Sequence, residues 1–300
     1  MITGDEPPPR GLVRVPITDA AELAASQELA RRLHQVDRLT ERYSTVAQLR
    51  AKPTSELGDD DRRTHWLQLS HYVSACMSMA TDSLLATKQL LMPDGKQLEH
   101  RITSQFPLLR STLESAATAL WLLQPADQRD RIVRLLQLRT TDIDYNLRFV
   151  KAAVRLIDNT TREGRSAAQR GIRDATKRRR KHREQLATIA EANDITPDEY
   201  TDGAPGYERI VEEATDSPDL TGAHASTVWR MISGLTHPSP LRVTDTSKHG
   251  ATIDNDDGTL YVLSSMGLGT TTVALLAAMM TYRQATELLG ARILRVKRRP

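Results

Sequence analysis

Cysteine and aromatic residues are scarce in this sequence. Its 300 residues include one Cys, two Phe and three Trp, and aromatic side chains make up 4% of the chain. A single thiol cannot close an intramolecular disulfide, and β-sandwich cores draw on β-branched and aromatic residues. The core must therefore rest on Leu, Ile, Val, Ala and Met, which favours packed helices, and the lone Cys76 fits a cytoplasmic protein.

Long hydrophobic runs are also missing. The longest, VALLAAMM at 273–280, is far shorter than the roughly 20 apolar residues that span a bilayer, so no membrane partner is expected. The N-terminal MITGDEPPPRG has no apolar stretch behind it and is not typical of a signal peptide. We expect residues 1–17 to form a flexible leader, because consecutive prolines cannot join a helix.

Apolar residues recur at helical spacing through most of the remaining chain. Asp19 is the predicted N-cap of the first helix, and Asp59, Asp60 and Asp61 are expected to cap the second. The predicted helices cover about 19–52, 61–91, 96–123, 125–159, 163–193, 219–235 and 267–294. The sequence therefore predicts a mainly α-helical single domain over 18–294, a bundle of about seven helices, followed by a basic tail at 295–300.

One segment departs from this helical pattern. Apolar residues flank the turn signal DNDDG, which predicts a small β-hairpin at about 247–265, before the last helix.

Positive charge is concentrated in two segments. Residues 162–183 hold ten Arg and Lys against Glu163 and Asp174, and residues 292–299 hold five more. The consecutive charges of KRRRKHRE, residues 177–184, should surround their helix instead of lining one face. An anionic partner would bind at such a segment, although a solvated helix face is the alternative.

The residues predicted to contact a nucleic acid are Arg173, Lys177, Arg178, Arg179, Arg180, Lys181 and Arg183. No aromatic residue lies within this basic segment to stack on bases, which argues against sequence-specific reading of a single strand.

Signals for a metal or a cofactor are incomplete. His65 and His71 are six residues apart, not the three or four that place two ligands on one helix face. The stretch GLGTTT at 267–272 lacks the Lys of a phosphate-binding loop. We therefore predict no metal site and no cofactor.

Two helices carry charged side chains in places that need explaining. In FPLLRSTLESAATALWLLQP, Arg110 falls within the apolar stripe that contains Leu109 and Leu113, and Glu114 is four residues on. An unpaired buried charge is costly, so the two should pair. The pair is either an ion pair that fixes helix packing or the border of a functional cavity.

The second helix reads VWRMISGLTHPSP. Arg230 and His237 fall about 20° apart in projection, on the face opposite Val228. Because Pro238 disfavours helical geometry at His237, we expect this residue at the helix end. There its ring either takes part in chemistry or hydrogen-bonds the last helix carbonyls.

An Arg, six residues and a His on a late helix of an all-helical protein resemble the signature of the HEPN superfamily. Its members are nucleotide-binding four-helix domains, many of them metal-independent endoribonucleases of toxin–antitoxin and antiviral defence systems. The resemblance implies that His237 acts as general base or acid and that Arg230 steadies the scissile phosphate. It also implies RNA as substrate, a homodimer in which two sites meet, and a protein partner such as an antitoxin.

A looser resemblance and one alternative function accompany this interpretation. RSTLESAATALWLL together with WRMISGLTHPSP is similar to an uncharacterised family of helical actinobacterial proteins. In active HEPN members the residue after the Arg is usually polar, whereas here it is Met231.

The alternative function is a non-catalytic scaffold or partner-binding protein, in which Arg110, Glu114, Arg230 and His237 only organise the interior.

Overall fold

The computed structural model describes residues 19–99, 101–157, 160–254 and 260–296, and most of them are helical, as predicted. The helices are α1 (Ala20–Ala47), α2 (Glu56–Thr64), α3 (Leu69–Leu91), α4 (Gln105–Leu123), α5 (Gln128–Val154), α6 (Arg162–Glu191), α7 (Tyr207–Ala214), α8 (Gly222–Thr236), α9 (Pro240–Thr246) and α10 (Leu268–Leu294). The strands are β1 (Asp216–Ser217), β2 (Leu220–Thr221), β3 (Ser247–Asp254) and β4 (Leu260–Met266). None of the described helices is both long enough and apolar enough to cross a bilayer.

Side-chain caps set several helix starts. The Asp19 carboxylate accepts a hydrogen bond from the backbone N–H of Ala21 at 2.8 Å and caps α1, as predicted. Ser55, Asp127 and Thr161 cap α2, α5 and α6 in the same way. These oxygens satisfy N–H groups that have no partner inside the helix.

The second predicted helix is divided, which raises the number of described helices above seven. His65 has a φ of 46°, unfavourable for a residue with a side chain, and a 3-10 turn at His65–Leu67 separates α2 from α3. The predicted cap by Asp59 and Asp60 is wrong, because both lie buried inside α2. Asp60 is fully enclosed, so its charge needs a partner from another element.

The third predicted helix begins later than expected, at Gln105 instead of near Lys96. The Asp94 carboxylate accepts hydrogen bonds from the backbone N–H groups of Lys96 and Gln97, both at 2.8 Å. These bonds hold a turn in place of a helical start.

Helix α4 lies at the centre of the core, with α3 and α10 packed against it and α7 and α8 on a further side. A second apolar cluster joins α5 to α6, and its members include Ile132, Leu136, Leu186, Ile189 and Ile195. Helix α5 therefore has two apolar sides. Helix α6 packs chiefly on the outer one.

Three arginines converge on the C-terminal end of α4. Arg131 and Arg134 of α5 and Arg292 of α10 donate hydrogen bonds to backbone carbonyls between residues 121 and 126, at 2.5–3.4 Å. Carbonyls at a helix end lack partners within the helix, so these guanidinium groups satisfy them.

Two of these arginines also pair with α2. Arg131 binds the Asp60 carboxylate through hydrogen bonds of 2.7 and 2.8 Å, and both side chains are buried. Arg292 pairs with Glu56. The sequence analysis counted Arg292 in a basic surface, and this is wrong, because the residue is 4% exposed and its charge serves the interior.

The predicted β-hairpin is present as β3 and β4, in which Ser247 pairs with Met266 and Asp254 with Leu260. The rest of the DNDDG turn, the leader at 1–17 and the tail beyond Val296 lie outside the described residues. Helix α9 was not predicted. It begins with Pro240 at its first position and Ser239 as its cap.

The buried ion pair gives a stability prediction. Arg131→Ala leaves Asp60 charged and unpaired in the interior, and we expect it to lower the free energy of unfolding by roughly 3–5 kcal/mol. Urea unfolding followed by circular dichroism measures the loss. Arg129→Ala is the matched control: Arg129 pairs with Glu199 at the surface, so its loss should be far smaller. Equal losses in the two variants would contradict the role given to Arg131.

Candidate functional site

Arg230 lies on the exposed face of α8, where it pairs with Glu208 of α7. Its Nε donates to Glu208 Oε1 at 2.6 Å, and the arginine side chain is 71% exposed. Val228 and Ile232, on the other face of the helix, are buried. The hydrogen bond to Glu208 raises the pKa of the Arg230 guanidinium, which therefore stays charged.

His237 directly follows the last residue of α8 and has an extended backbone, with φ −101° and ψ 151°. The helix ends here, as Pro238 predicts. The ring is exposed, and it makes no hydrogen bond to any residue in the described part of the chain. Seven residues of helical rise separate it from Arg230 by about 10 Å along the axis. Arg230 thus lies near the middle of α8 and His237 just beyond its C-terminal end, and within the described residues no hydrogen bond joins the two side chains.

Helix α9 crosses the end of α8 at Gly234. A side chain at this position would collide with the guanidinium of Arg242. The glycine therefore allows a second arginine close to the end of α8 that carries His237. The sequence analysis missed Arg242, because it did not interpret Ser239 and Pro240 as the start of a helix.

Arg110 and Glu114 form the ion pair that their spacing allows, at 2.7 Å, and both are half-buried. Trp229 of α8 donates its indole N–H to the same Glu114 oxygen at 2.7 Å. The Arg110 guanidinium lies 5.3 Å from the centre of the Trp229 ring. This cluster does not include Arg230 or His237. It joins α4 to α8 one residue before Arg230, so it positions the helix that carries the candidate site.

The seven predicted nucleic-acid contacts divide into two sets on α6. Arg179 and Arg183 both donate to the carboxylate of Asp144 on α5 at 2.8 Å. The other five are exposed: Arg173, Lys177, Arg178, Arg180 and Lys181. The charges therefore face both α5 and solvent, and the two that face α5 hold α6 to it.

The exposed set has few acidic partners. Arg180 lies 3.7 Å from Glu184 at a well-exposed position. Within the ranges that the structure describes, the other four cations make no ion pair. They are free to meet an external anion.

Two cavities border α5, and neither is lined by Arg230 or His237. The larger, about 720 Å³, lies at the end of α4 beside Trp121, Arg134 and Glu213. The smaller, about 420 Å³, lies between α5, α6 and the turn at His65–Leu67, and Trp66 and His182 line it. The sequence analysis missed both, because each is built from elements far apart along the chain.

The single thiol of the chain, Cys76, is buried on α3. Burial raises the pKa of the Cys76 thiol to about 12, so thiolate is scarce at neutral pH. Among the residues that the structure describes, no three His, Cys, Asp or Glu side chains form a group that could hold a metal ion.

Comparisons with family models, curated proteins and solved structures found no significant match to this chain. The HEPN resemblance therefore rests on its short motif alone.

The enclosed thiol gives a chemical prediction. We expect Cys76 in the folded protein to react with a disulfide reagent at pH 8 at least about 100-fold more slowly than in the unfolded chain, because burial raises the pKa of its thiol to about 12 and blocks access of the reagent. Absorbance of the released thiolate in buffer and in urea measures both rates. Rapid labelling without urea would show that Cys76 is accessible.

Proposed function

We propose that this chain is an RNA-directed protein that binds the phosphate backbone through the outer face of α6. The observation that carries the proposal is a group of four exposed cations on that helix that make no ion pair within the described ranges: Arg173, Lys177, Arg178 and Lys181. Neutralising phosphates with Lys and Arg releases counterions and favours binding, without any need for base contacts.

The spacing of these cations suits a linear anion. Arg170, Arg173, Lys177 and Arg180 are exposed and recur at three- and four-residue intervals, so they lie along one side of α6. The row is about 15 Å long at the helical rise. Two acids stand at such an interval, Asp174 four residues after Arg170 and Glu184 four residues after Arg180, and within the described ranges only Glu184 makes an ion pair with the row. The HEPN resemblance makes RNA the first polyanion to test.

RNA cleavage at Arg230 and His237 is the second part of the proposal. The exposed imidazole of His237 offers ring nitrogens that can accept or donate a proton, as removal of a ribose 2′-hydroxyl proton requires. The Arg230 fork can supply charge to a developing phosphorane without a metal. Arg230 would have to exchange its contact with Glu208 for a phosphate. This second part of the proposal also includes a homodimer, an antitoxin-like protein partner, a role in defence and a cytoplasmic location.

A non-catalytic scaffold is the competing function, and the cluster of Arg110, Glu114 and Trp229 favours it. Those side chains brace α4 against α8. In a scaffold, the Arg230–Glu208 pair is a surface contact with no further role.

RNA binding by α6 gives a prediction about salt. For a short single-stranded RNA, the logarithm of affinity should fall linearly with the logarithm of salt concentration, by about 0.7 per phosphate contacted. The double variant Arg173→Ala, Lys177→Ala should bind more weakly and lower this slope by about 1.4, because two contacts are lost. Fluorescence anisotropy across a salt series measures both.

The matched control for this series is Arg38→Ala, Arg42→Ala, two exposed arginines at the same spacing on α1. It should leave the slope unchanged. A salt-independent wild type, or equal effects of the two double variants, would rule out α6 as the binding surface.

Cleavage gives a separate prediction. In EDTA, the wild type should cut single-stranded RNA, and His237→Ala should slow cutting by at least about 100-fold. Arg230→Ala should also slow cutting, whereas Glu208→Gln should preserve or increase the rate, because it frees Arg230 for the phosphate. Gel analysis of end-labelled RNA measures the rates. No cutting by the wild type, or equal cutting by His237→Ala, would support the scaffold.

A further inference from the structure

We infer that the smaller cavity, beside α6, is a pocket for one nucleobase of a single-stranded RNA. This inference rests on the proposed binding of RNA by α6 and names the form of RNA that it binds. The cavity, about 420 Å³, is within the size range of small-ligand sites.

An aromatic wall is the first feature that fits a base. Trp66 lines the cavity and remains 55% exposed, although the chain has only three Trp. The His65 ring packs edge-to-face against it, with centroids 5.9 Å apart, and the positive φ of His65 sets the turn that presents it. Bases stack readily on exposed aromatic side chains.

The remaining lining has a charged part, an apolar part and an amide part. The charged part is Arg139 and Asp142, which lie 3.8 Å apart. Ile143, Leu186 and Ile189 supply apolar surface. Asn146 and Gln185 supply side-chain amides, and neither amide hydrogen-bonds another residue in the described ranges. An amide offers both donors and an acceptor, as the Watson–Crick edge of an unpaired base requires. An aromatic face, apolar surface and free amides together are how proteins hold a base taken out of its stack.

The cavity lies beside one exposed cation of α6, Arg178, which is not part of the row formed by Arg170, Arg173, Lys177 and Arg180. His182 lines the cavity, and the exposed Arg178 lies four residues before it, one turn away on the same side of the helix. A strand whose phosphate contacts Arg178 can therefore place a base against Trp66. A duplex cannot, because its bases are paired and stacked. Trp66 supplies the aromatic surface that the basic segment itself lacks.

Binding to three probes tests the pocket: a short mixed-sequence RNA strand, a ribose-phosphate strand of the same length without bases, and an RNA duplex. The full-length wild type should bind the RNA strand at least about tenfold more tightly than the abasic strand, as stacking of one base supplies. Trp66→Ala should remove that difference and leave the affinity for the abasic strand unchanged. Leu85→Ala, at an exposed position on α3, is the control and should change neither affinity.

These measurements test the base pocket and the phosphate-binding surface of α6 independently. If Trp66→Ala binds the RNA strand as tightly as the wild type, the proposed base pocket is overturned. In that case, weaker binding of every probe by the double variant Arg173→Ala, Lys177→Ala still supports α6 as the surface that binds phosphates. If the wild type binds none of the probes, the proposed function fails. Titration with adenosine monophosphate then decides about the cavity: quenching of Trp fluorescence that Trp66→Phe abolishes supports a base pocket, and no quenching overturns it.

Discussion

The buried contact between Arg131 and Asp60 is the constraint on which the arrangement of helices depends. Two opposite charges in an interior are tolerated only when their remaining donors and acceptors are satisfied. Arg131 meets this condition, because its other N–H groups reach the carbonyls that follow α4. One side chain thus fixes α2, α4 and α5 relative to one another, and Arg292 adds α10 through Glu56.

The placement of α5 determines what α6 can do. One side of α5 belongs to the main core, and the other carries Ile132 and Leu136 toward α6. Because α6 packs chiefly on α5, one side of it stays in water. The cations of α6 form two groups. Arg179 and Arg183 pair with Asp144 of α5, whereas the exposed cations on the outer side do not contact this carboxylate. Helix α6 can therefore pack firmly on α5 and still present positive charge to solvent.

Features set by neighbours along the chain were predictable from the sequence. The Asp19 cap, the β-hairpin and the end of α8 at His237 all depend on residues within a few positions. The break at His65 was not predictable, because no glycine or proline marks it. Contacts between residues far apart in the sequence, such as that of Arg230 with Glu208, could not be predicted either. Periodicity shows which side of a helix is apolar but not which element covers it.

Burial separates Arg230 from the Arg110–Glu114 pair, although the sequence analysis grouped the three residues together. Arg110 and Glu114 are half-buried and share Trp229, so breaking their contacts would leave charges with little water to solvate them. Arg230 and Glu208 form a solvent-exposed pair, and such pairs are easily exchanged because water and other ions compensate for the loss. The contact with Glu208 therefore does not argue against a functional Arg230, since a phosphate can replace the carboxylate. The first pair joins α4 to α8, whereas the surface arginine beside it can exchange its carboxylate for another anion.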